Sequence, residues 1–196
     1  MEISLLHRRD RIILTTIQAL DELGIQGIST REIARREGIS EGAIFKHFRS
    51  KTELLLALLE YDSQYDQDIA NSAKLKYESP SEAIIFTVKS YAEYYENYPP
   101  VTAITQHYMV FAADVQLEKK VKEIFFSRLN HFHHMINEAK NMGELKENTD
   151  CEVVGDFIWT YCRDICVKWR FENFGFPLKE TMVAAVKMLL DAFSKA

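Results

Sequence analysis

Apolar residues recur along this chain every three or four positions, which is the spacing of one face of an α-helix. Strand-like alternation of apolar and polar residues is nowhere sustained. Glycine or proline closes several of the periodic stretches. The pattern therefore predicts an all-α chain with helices over residues 8–23, 30–37, 40–48, 50–70, 81–97, 101–112, 115–141, 150–173 and 178–195.

Helix-start signals support these boundaries. In four places a serine or threonine stands three positions before a glutamate, which is the capping-box pattern that satisfies free amides at a helix start. Ser40 and Asp114 are simpler N-caps, and Pro99-Pro100 must interrupt the helix before it. The four capping boxes begin at Ser29, Ser50, Ser79 and Thr149.

Composition describes an ordinary globular protein of 196 residues, with 47% hydrophobic and 27% charged residues. No apolar stretch approaches the roughly 20 residues of a membrane span, and the N-terminal MEISLLHRRDR meets charge before a signal-peptide core can form. Three cysteines, an odd number, argue against a secreted disulfide framework. We therefore expect a reduced, cytoplasmic protein.

Charge is distributed unevenly. Residues 1–51 carry nine Lys and Arg against seven Asp and Glu, whereas residues 52–196 carry 15 against 22. A small basic excess confined to the N-terminal part suggests an anionic partner for that part of the chain.

The first 50 residues have the makings of a helix-turn-helix. The predicted helix 30–37 must pack against Ile39 and Ile44 across a tight turn, and Gly38 supplies the positive φ that ends it. This arrangement leaves 40–48 as the element that can enter a major groove.

The run TREIARREGISEGAIFKHFRSKTELL, residues 30–55, resembles the N-terminal signature of the TetR family of bacterial transcriptional regulators. The matching features are the Thr and Ile-Ala of the second helix, the Gly-Ile-Ser turn and the aromatic-x-His-Phe-x-Ser-Lys run. The resemblance covers about residues 8–60. It implies an N-terminal three-helix DNA-binding domain over 1–50 and a C-terminal helical effector-binding and dimerisation domain over 51–196.

The resemblance also implies DNA contacts position by position. Thr30 and Arg31, at the start of the second helix, match family positions that contact the DNA backbone or a nearby base. Residues 40–43 match the start of the family's recognition helix. Phe45 stands where the family usually has a tyrosine that binds phosphate, and Ala43 offers only a methyl group, so Glu41 and Lys46 gain weight as specificity residues. The candidate DNA-binding residues are Thr30, Arg31, Ser40, Glu41, Gly42, Ala43, Phe45, Lys46, His47 and Lys51.

Aromatic residues beyond residue 60 can fill a core or line a ligand pocket. The pocket hypothesis places an effector among helices 81–97, 101–112, 115–141 and 150–173. Charged Arg128 and Arg163 either form structural pairs with carboxylates or meet an anionic group of the effector. The candidate effector-binding residues are Tyr91, Tyr95, His107, Phe111, Phe125, Arg128, His131, Trp159 and Arg163.

Other chemistry is not expected. The sequence contains no GxSxG, P-loop, HExxH or Rossmann fingerprint, so we predict no enzyme and no cofactor. His131, His133 and His134 invite a zinc interpretation, but no matching third ligand lies nearby and no metal is predicted. Cys162 and Cys166 are read as core residues, with redox sensing as the alternative.

The function predicted is that of a homodimeric, TetR-like transcriptional regulator of double-stranded operator DNA. A repressor released from a pseudo-palindromic operator by a small hydrophobic or amphipathic effector is the preferred interpretation. The alternatives are a DNA-binding regulator without a small effector, either partner-regulated or constitutive, and an activator.

Overall fold

The computed structural model describes residues 7–195, and it is all-α as predicted. Within those residues the β-type pairing is limited to an isolated bridge between Leu145 and Ser194. None of the described helices has the combined length and apolar character needed to cross a membrane. The helices are α1 (Arg8–Gly27), α2 (Thr30–Glu37), α3 (Glu41–Phe45), α4 (Lys51–Ser63), α5 (Asp66–Lys76), α6 (Pro80–Asn97), α7 (Thr102–Gln106), α8 (Tyr108–Ala112), α9 (Glu118–Asn141), α10 (Cys151–Phe171) and α11 (Leu178–Phe193).

Two compact units divide the chain. One comprises the chain up to Gln64 together with Pro99–Glu123, and the other comprises Tyr65–Tyr98 together with the chain from Ile124 onward. The functional boundary predicted at residue 50 stays a prediction, because compactness does not report which residues bind DNA.

Serine caps begin four of the helices, as the sequence predicted. Each hydroxyl accepts a hydrogen bond from the amide three residues later, as the first turn of a helix requires. The prediction for α10 was wrong by one position, since the carboxylate of Asp150, not Thr149, accepts from the amide of Val153 at 3.1 Å. The four serine caps are Ser29, Ser40, Ser50 and Ser79.

The predicted continuous helix over 50–70 was wrong. Helix α4 ends at Ser63, and α5 begins at Asp66. Tyr65, which lies between the two helices, has a ψ of −10°, compared with about −42° in a regular α-helix. The carboxylate of Asp66 binds side chains from two other helices, so the break belongs to the tertiary structure rather than to local propensity.

The region predicted as one helix over 101–112 is two short helices, α7 and α8. His107 separates them with a φ of −95° and a ψ of 6°, while its Nδ1 lies 2.7 Å from the carbonyl oxygen of Ala103. The following helix begins later than predicted, because the carboxylate of Asp114 accepts from the amide of Gln116 at 2.8 Å in a separate turn.

The core of the first unit explains the packing of its N-terminal helices. Ile17 and Leu20 of α1, Ile33 of α2 and Ile44 of α3 are fully buried. Phe48, which follows α3, is also fully buried. These side chains fix α3 against α1 and α2.

Candidate functional site

A tight turn joins helices α2 and α3, as a helix-turn-helix requires. Gly38 ends α2 in the left-handed region, with a φ of 64°, where glycine carries no steric cost. The amide of Ile39 then donates to the carbonyl of Ala34 at 3.0 Å. This turn and the buried Ile44 leave one side of α3 facing solvent.

The ten candidate DNA contacts lie at the starts of α2 and α4, on α3 and its N-cap, and in the turn after α3. Thr30, Ala43 and His47 are half-buried, and the other seven are exposed. The structure therefore brings the predicted residues onto accessible positions of one small module.

One contact links two of these candidates directly. The hydroxyl of Thr30, the first residue of α2, donates a short hydrogen bond to the carboxylate of Glu41, the first residue of α3. The sequence predicted both residues as DNA contacts but did not predict that they touch each other.

Other acidic side chains of the module are bound to arginines. Arg35 and Arg36 donate hydrogen bonds to Glu32, which lowers the pKa of that carboxyl group to about 2. Arg11 pairs with Glu37 at 2.9 Å. These ion pairs neutralise the negative charges of Glu32 and Glu37 within the module itself.

Lys51 begins α4. Its Nζ donates to the carbonyl oxygen of Ile25 at 3.3 Å. An ammonium group has three donors, so this contact leaves two for a phosphate. The start of α4, capped by Ser50, adds a partial positive charge at the same place.

A cavity of about 80 Å³ lies within the second unit. Its lining includes Asp66, Tyr91, Arg128 and His131. The Arg128 guanidinium binds Asp66 through Nε at 2.8 Å and through a terminal nitrogen at 3.0 Å. The Tyr91 hydroxyl donates to the same carboxylate at 2.8 Å. Arg128 thus forms the structural pair that was one of its two predicted roles.

Further predicted effector residues surround this network. The rings of Tyr91 and Tyr95 lie 6.2 Å apart, and those of Phe125 and Trp159 also lie 6.2 Å apart. The guanidinium of Arg128 lies 6.0 Å from the centre of the Trp159 ring.

Two nitrogen atoms near the cavity are buried without a hydrogen-bond partner among the described residues, Nε2 of His131 and Nε1 of Trp159. Burial lowers the pKa of His131, with the positive charge of Lys74 as the next cause. Buried nitrogens without a hydrogen-bond partner cost free energy.

Six of the nine predicted effector residues do not line the cavity. Tyr95, Phe125 and Trp159 lie beside the Arg128 network but outside the lining, and the other three lie elsewhere. His107 and Phe111 belong to the first unit, where their rings lie 6.3 Å apart. Arg163 pairs with its neighbour Asp164 at 3.0 Å and is about one-third exposed. The sequence did not predict Asp66 as a residue of this site, because its partner Arg128 is 62 positions away. It indicated only that an arginine on a buried face needs a carboxylate partner.

The cysteine and histidine clusters are also accounted for by packing. Burial raises the pKa of Cys162, and it raises the pKa of Cys166 to about 12, so both stay as unreactive thiols near neutral pH. His133 binds Asp156 at 2.7 Å and His134 binds Glu138 at 3.2 Å. Residues 7–195 contain no group of three or more ligands arranged to hold a metal ion.

Two family models match consecutive parts of the chain. A model described as bacterial regulatory proteins of the tetR family matches residues 12–58. A model described as the C-terminal region of YsiA-like proteins matches residues 63–192, about two thirds of the chain.

Known proteins agree with this assignment. The nucleoid occlusion factor SlmA of Actinobacillus pleuropneumoniae is 27% identical over 177 residues, covering 88% of this chain and 86% of that protein. The fatty acid degradation regulator FadR of Bacillus halodurans has the same fold, with a TM-score of 0.81, 19% identity and coverage of 93% and 98%. FadR of Bacillus subtilis, in complex with stearoyl-CoA, gives a TM-score of 0.79, 19% identity and coverage of 91% and 96%.

The described helix-turn-helix geometry, the two consecutive family matches and the shared fold lead to one conclusion. The chain belongs to the TetR family of bacterial regulatory proteins and is a DNA-binding transcriptional regulator.

Proposed function

We propose that this regulator is a repressor, released from a pseudo-palindromic operator by a small hydrophobic or amphipathic effector that enters the cavity beside Arg128. The observation that carries the proposal is the cavity lined by Tyr91, Phe132 and Arg128, beside buried nitrogens that have no hydrogen-bond partner among the described residues. In this proposal residues 1–50 bind DNA, residues 51–196 bind the effector and dimerise, and the protein acts in the cytoplasm without catalysing a reaction.

Exposed apolar side chains on α10 and α11 support a dimer. Val153 and Phe157, one turn apart on α10, and Met188 of α11 are at least 48% exposed, and contiguous exposed apolar groups mark protein interfaces. A twofold dimer presents two copies of α3 to successive major grooves about 34 Å apart. Sedimentation of the purified chain tests this; a monomer at micromolar concentration contradicts it.

The size of the cavity supports a release mechanism by change of conformation. Ligand pockets measure roughly 300–1,000 Å³, whereas this cavity holds about 80 Å³. An effector of ordinary size must therefore shift the protein toward a state in which the cavity is open. If α3 is wrongly spaced for the operator in that state, effector binding and DNA binding exclude each other.

Stearoyl-CoA, the molecule bound in the Bacillus subtilis FadR structure, is a first probe of the amphipathic class. A ligand present at 100 times its Kd adds about 2.7 kcal/mol of stability, so we expect the melting temperature to rise by about 5–10 °C. Tyr91→Ala should abolish most of this rise, measured against its own unliganded melting temperature. Tyr161→Ala, which alters a tyrosine outside the cavity lining, is the control.

The same probe should release operator DNA from the wild-type protein. An unchanged melting temperature with stearoyl-CoA, shorter acyl compounds and aromatic compounds contradicts the effector proposal. Operator binding that survives saturation with a ligand shown to bind contradicts the release mechanism.

The proposed phosphate contact of Lys51 has a separate test. Lys51→Ala removes one cation from the DNA-facing start of α4, so we expect weaker binding to every duplex sequence. The slope of log affinity against log salt should fall by about one unit, measured by fluorescence anisotropy. Lys187→Ala on α11 should leave the slope unchanged, and an unchanged slope in Lys51→Ala rules out the phosphate contact.

A further inference from the structure

Glu41 occupies an unusual electrostatic position in the DNA-binding module. Its side chain is exposed at the first position of α3, and its carboxylate accepts from the neutral Thr30 hydroxyl. Among the described residues no cation forms an ion pair with it, whereas Glu32 and Glu37 bind Arg35 and Arg11.

An uncompensated carboxylate on a DNA-binding surface opposes binding to phosphates. The same carboxylate becomes favourable only where the DNA presents a hydrogen-bond donor. In the major groove, guanine offers only acceptors, and thymine offers an acceptor and a methyl group. Adenine offers one donor, but an acceptor lies next to it on the same base. Cytosine offers its N4 amino group, which a glutamate accepts from.

The neighbouring residues leave this role to Glu41. Gly42 has no side chain, and Ala43 has only a methyl group, so Glu41 is the longest side chain among the first three residues of α3. A β-carbon added at Gly42 would meet nothing closer than the Ser40 hydroxyl at 3.9 Å. The start of α3 can therefore approach a base edge closely.

Thr30 restricts the Glu41 carboxylate before DNA arrives. The hydrogen bond joins residues 11 positions apart and bridges the first turns of α2 and α3. Holding a flexible side chain in one place reduces the rotamer entropy that is lost on binding. One carboxylate oxygen accepts from Thr30, and the other is left for a second donor.

We propose that Glu41 reads a cytosine in the major groove of each operator half-site and that Thr30 is its positioning residue. The inference rests on the proposed binding of α3 to an operator. The proposed function requires α3 to contact the operator but specifies no base, whereas this inference specifies cytosine at the Glu41 contact.

Duplexes that bind wild-type protein are selected from a library randomised over two turns of DNA. The same selection is repeated with Glu41→Gln. Glutamine binds N6 and N7 of adenine, so the cytosine at one position of each half-site should become adenine. Anisotropy with the two defined duplexes should show wild-type protein favouring cytosine about tenfold and Glu41→Gln favouring adenine by a similar factor.

Thr30→Val keeps the side-chain shape and removes the hydroxyl. We expect it to reduce the preference for cytosine several-fold, measured as the ratio of the affinities for the two defined duplexes, so that a loss of backbone contact common to both duplexes cancels. Glu60→Gln, which removes the same charge from an exposed position of α4, should retain the wild-type preference. Circular dichroism of each variant verifies that the helices are intact.

Selection of the same consensus by wild type and Glu41→Gln overturns the assignment of Glu41 and leaves the operator proposal standing. An equal cytosine preference in Thr30→Val and wild type overturns the positioning role. A wild-type selection without any consensus overturns operator recognition itself, together with this inference.

Discussion

Arg128→Ala is expected to lower the free energy of unfolding by about 3–5 kcal/mol, because it leaves a carboxylate without its guanidinium partner in a low-dielectric environment. The Arg128 side chain is 2% exposed and Asp66 is 21% exposed. Asp66 would retain the hydrogen bond from Tyr91, which is too little to replace a two-point charged contact. Urea denaturation followed by circular dichroism, at one fixed protein concentration, measures the change.

Arg163→Ala is the matched control. That arginine binds the adjacent Asp164 at a partly exposed site, and exposed pairs contribute about 0–1 kcal/mol. Equal losses in the two variants would show that the Arg128 pair has no special role in stability.

Phe48→Ala is expected to lower the free energy of unfolding by about 3–5 kcal/mol, the usual cost of emptying a fully buried aromatic site. Phe48 is fully buried, and the guanidinium of Arg9 lies 5.0 Å from the centre of its ring. The cavity would loosen the packing that holds α3, so operator affinity should fall along with stability.

Phe45→Ala separates the two effects, because this phenylalanine lies only three positions away but is 47% exposed. Its loss should change stability by about 0.5 kcal/mol or less while weakening DNA binding. Thermal denaturation and anisotropy on the same samples distinguish the variants. A Phe45→Ala loss as large as that of Phe48→Ala would contradict the assignment of Phe45 to the DNA-facing side.

The Arg128 pair also bears on the effector. The sequence left open whether Arg128 meets a carboxylate of the protein or an anionic group of a ligand, and in the structure Asp66 balances its charge. An anionic group placed at Arg128 would have to displace Asp66, whereas the charged part of a larger effector such as stearoyl-CoA would have to lie away from Arg128. Among residues 7–195, Nε2 of His131 and Nε1 of Trp159 are buried without a partner, so the proposed effector should carry polar, uncharged hydrogen-bonding groups near them.

Local chemistry was enough to predict most helix boundaries. Helix α2 was predicted over its observed range because its serine cap and the left-handed Gly38 both act within a few residues. Predicted helix boundaries were wrong where a contact with a residue distant in the sequence accompanies the break. Asp66 begins a new helix while bound to Arg128 and Tyr91, and the predicted helix over 50–70 divides before it.

The sequence by itself determined the all-α class, the helix-turn-helix and the family, because caps, helical periodicity and the motif over residues 30–55 are read along the chain. Only the tertiary structure decided that Thr30 holds Glu41, that Asp66 is the partner of Arg128, and that His107 lies outside the cavity. The physical reason is that hydrogen bonds and ion pairs depend on distances in space. A sequence specifies that a buried charge needs a partner, but packing chooses which residue comes within reach.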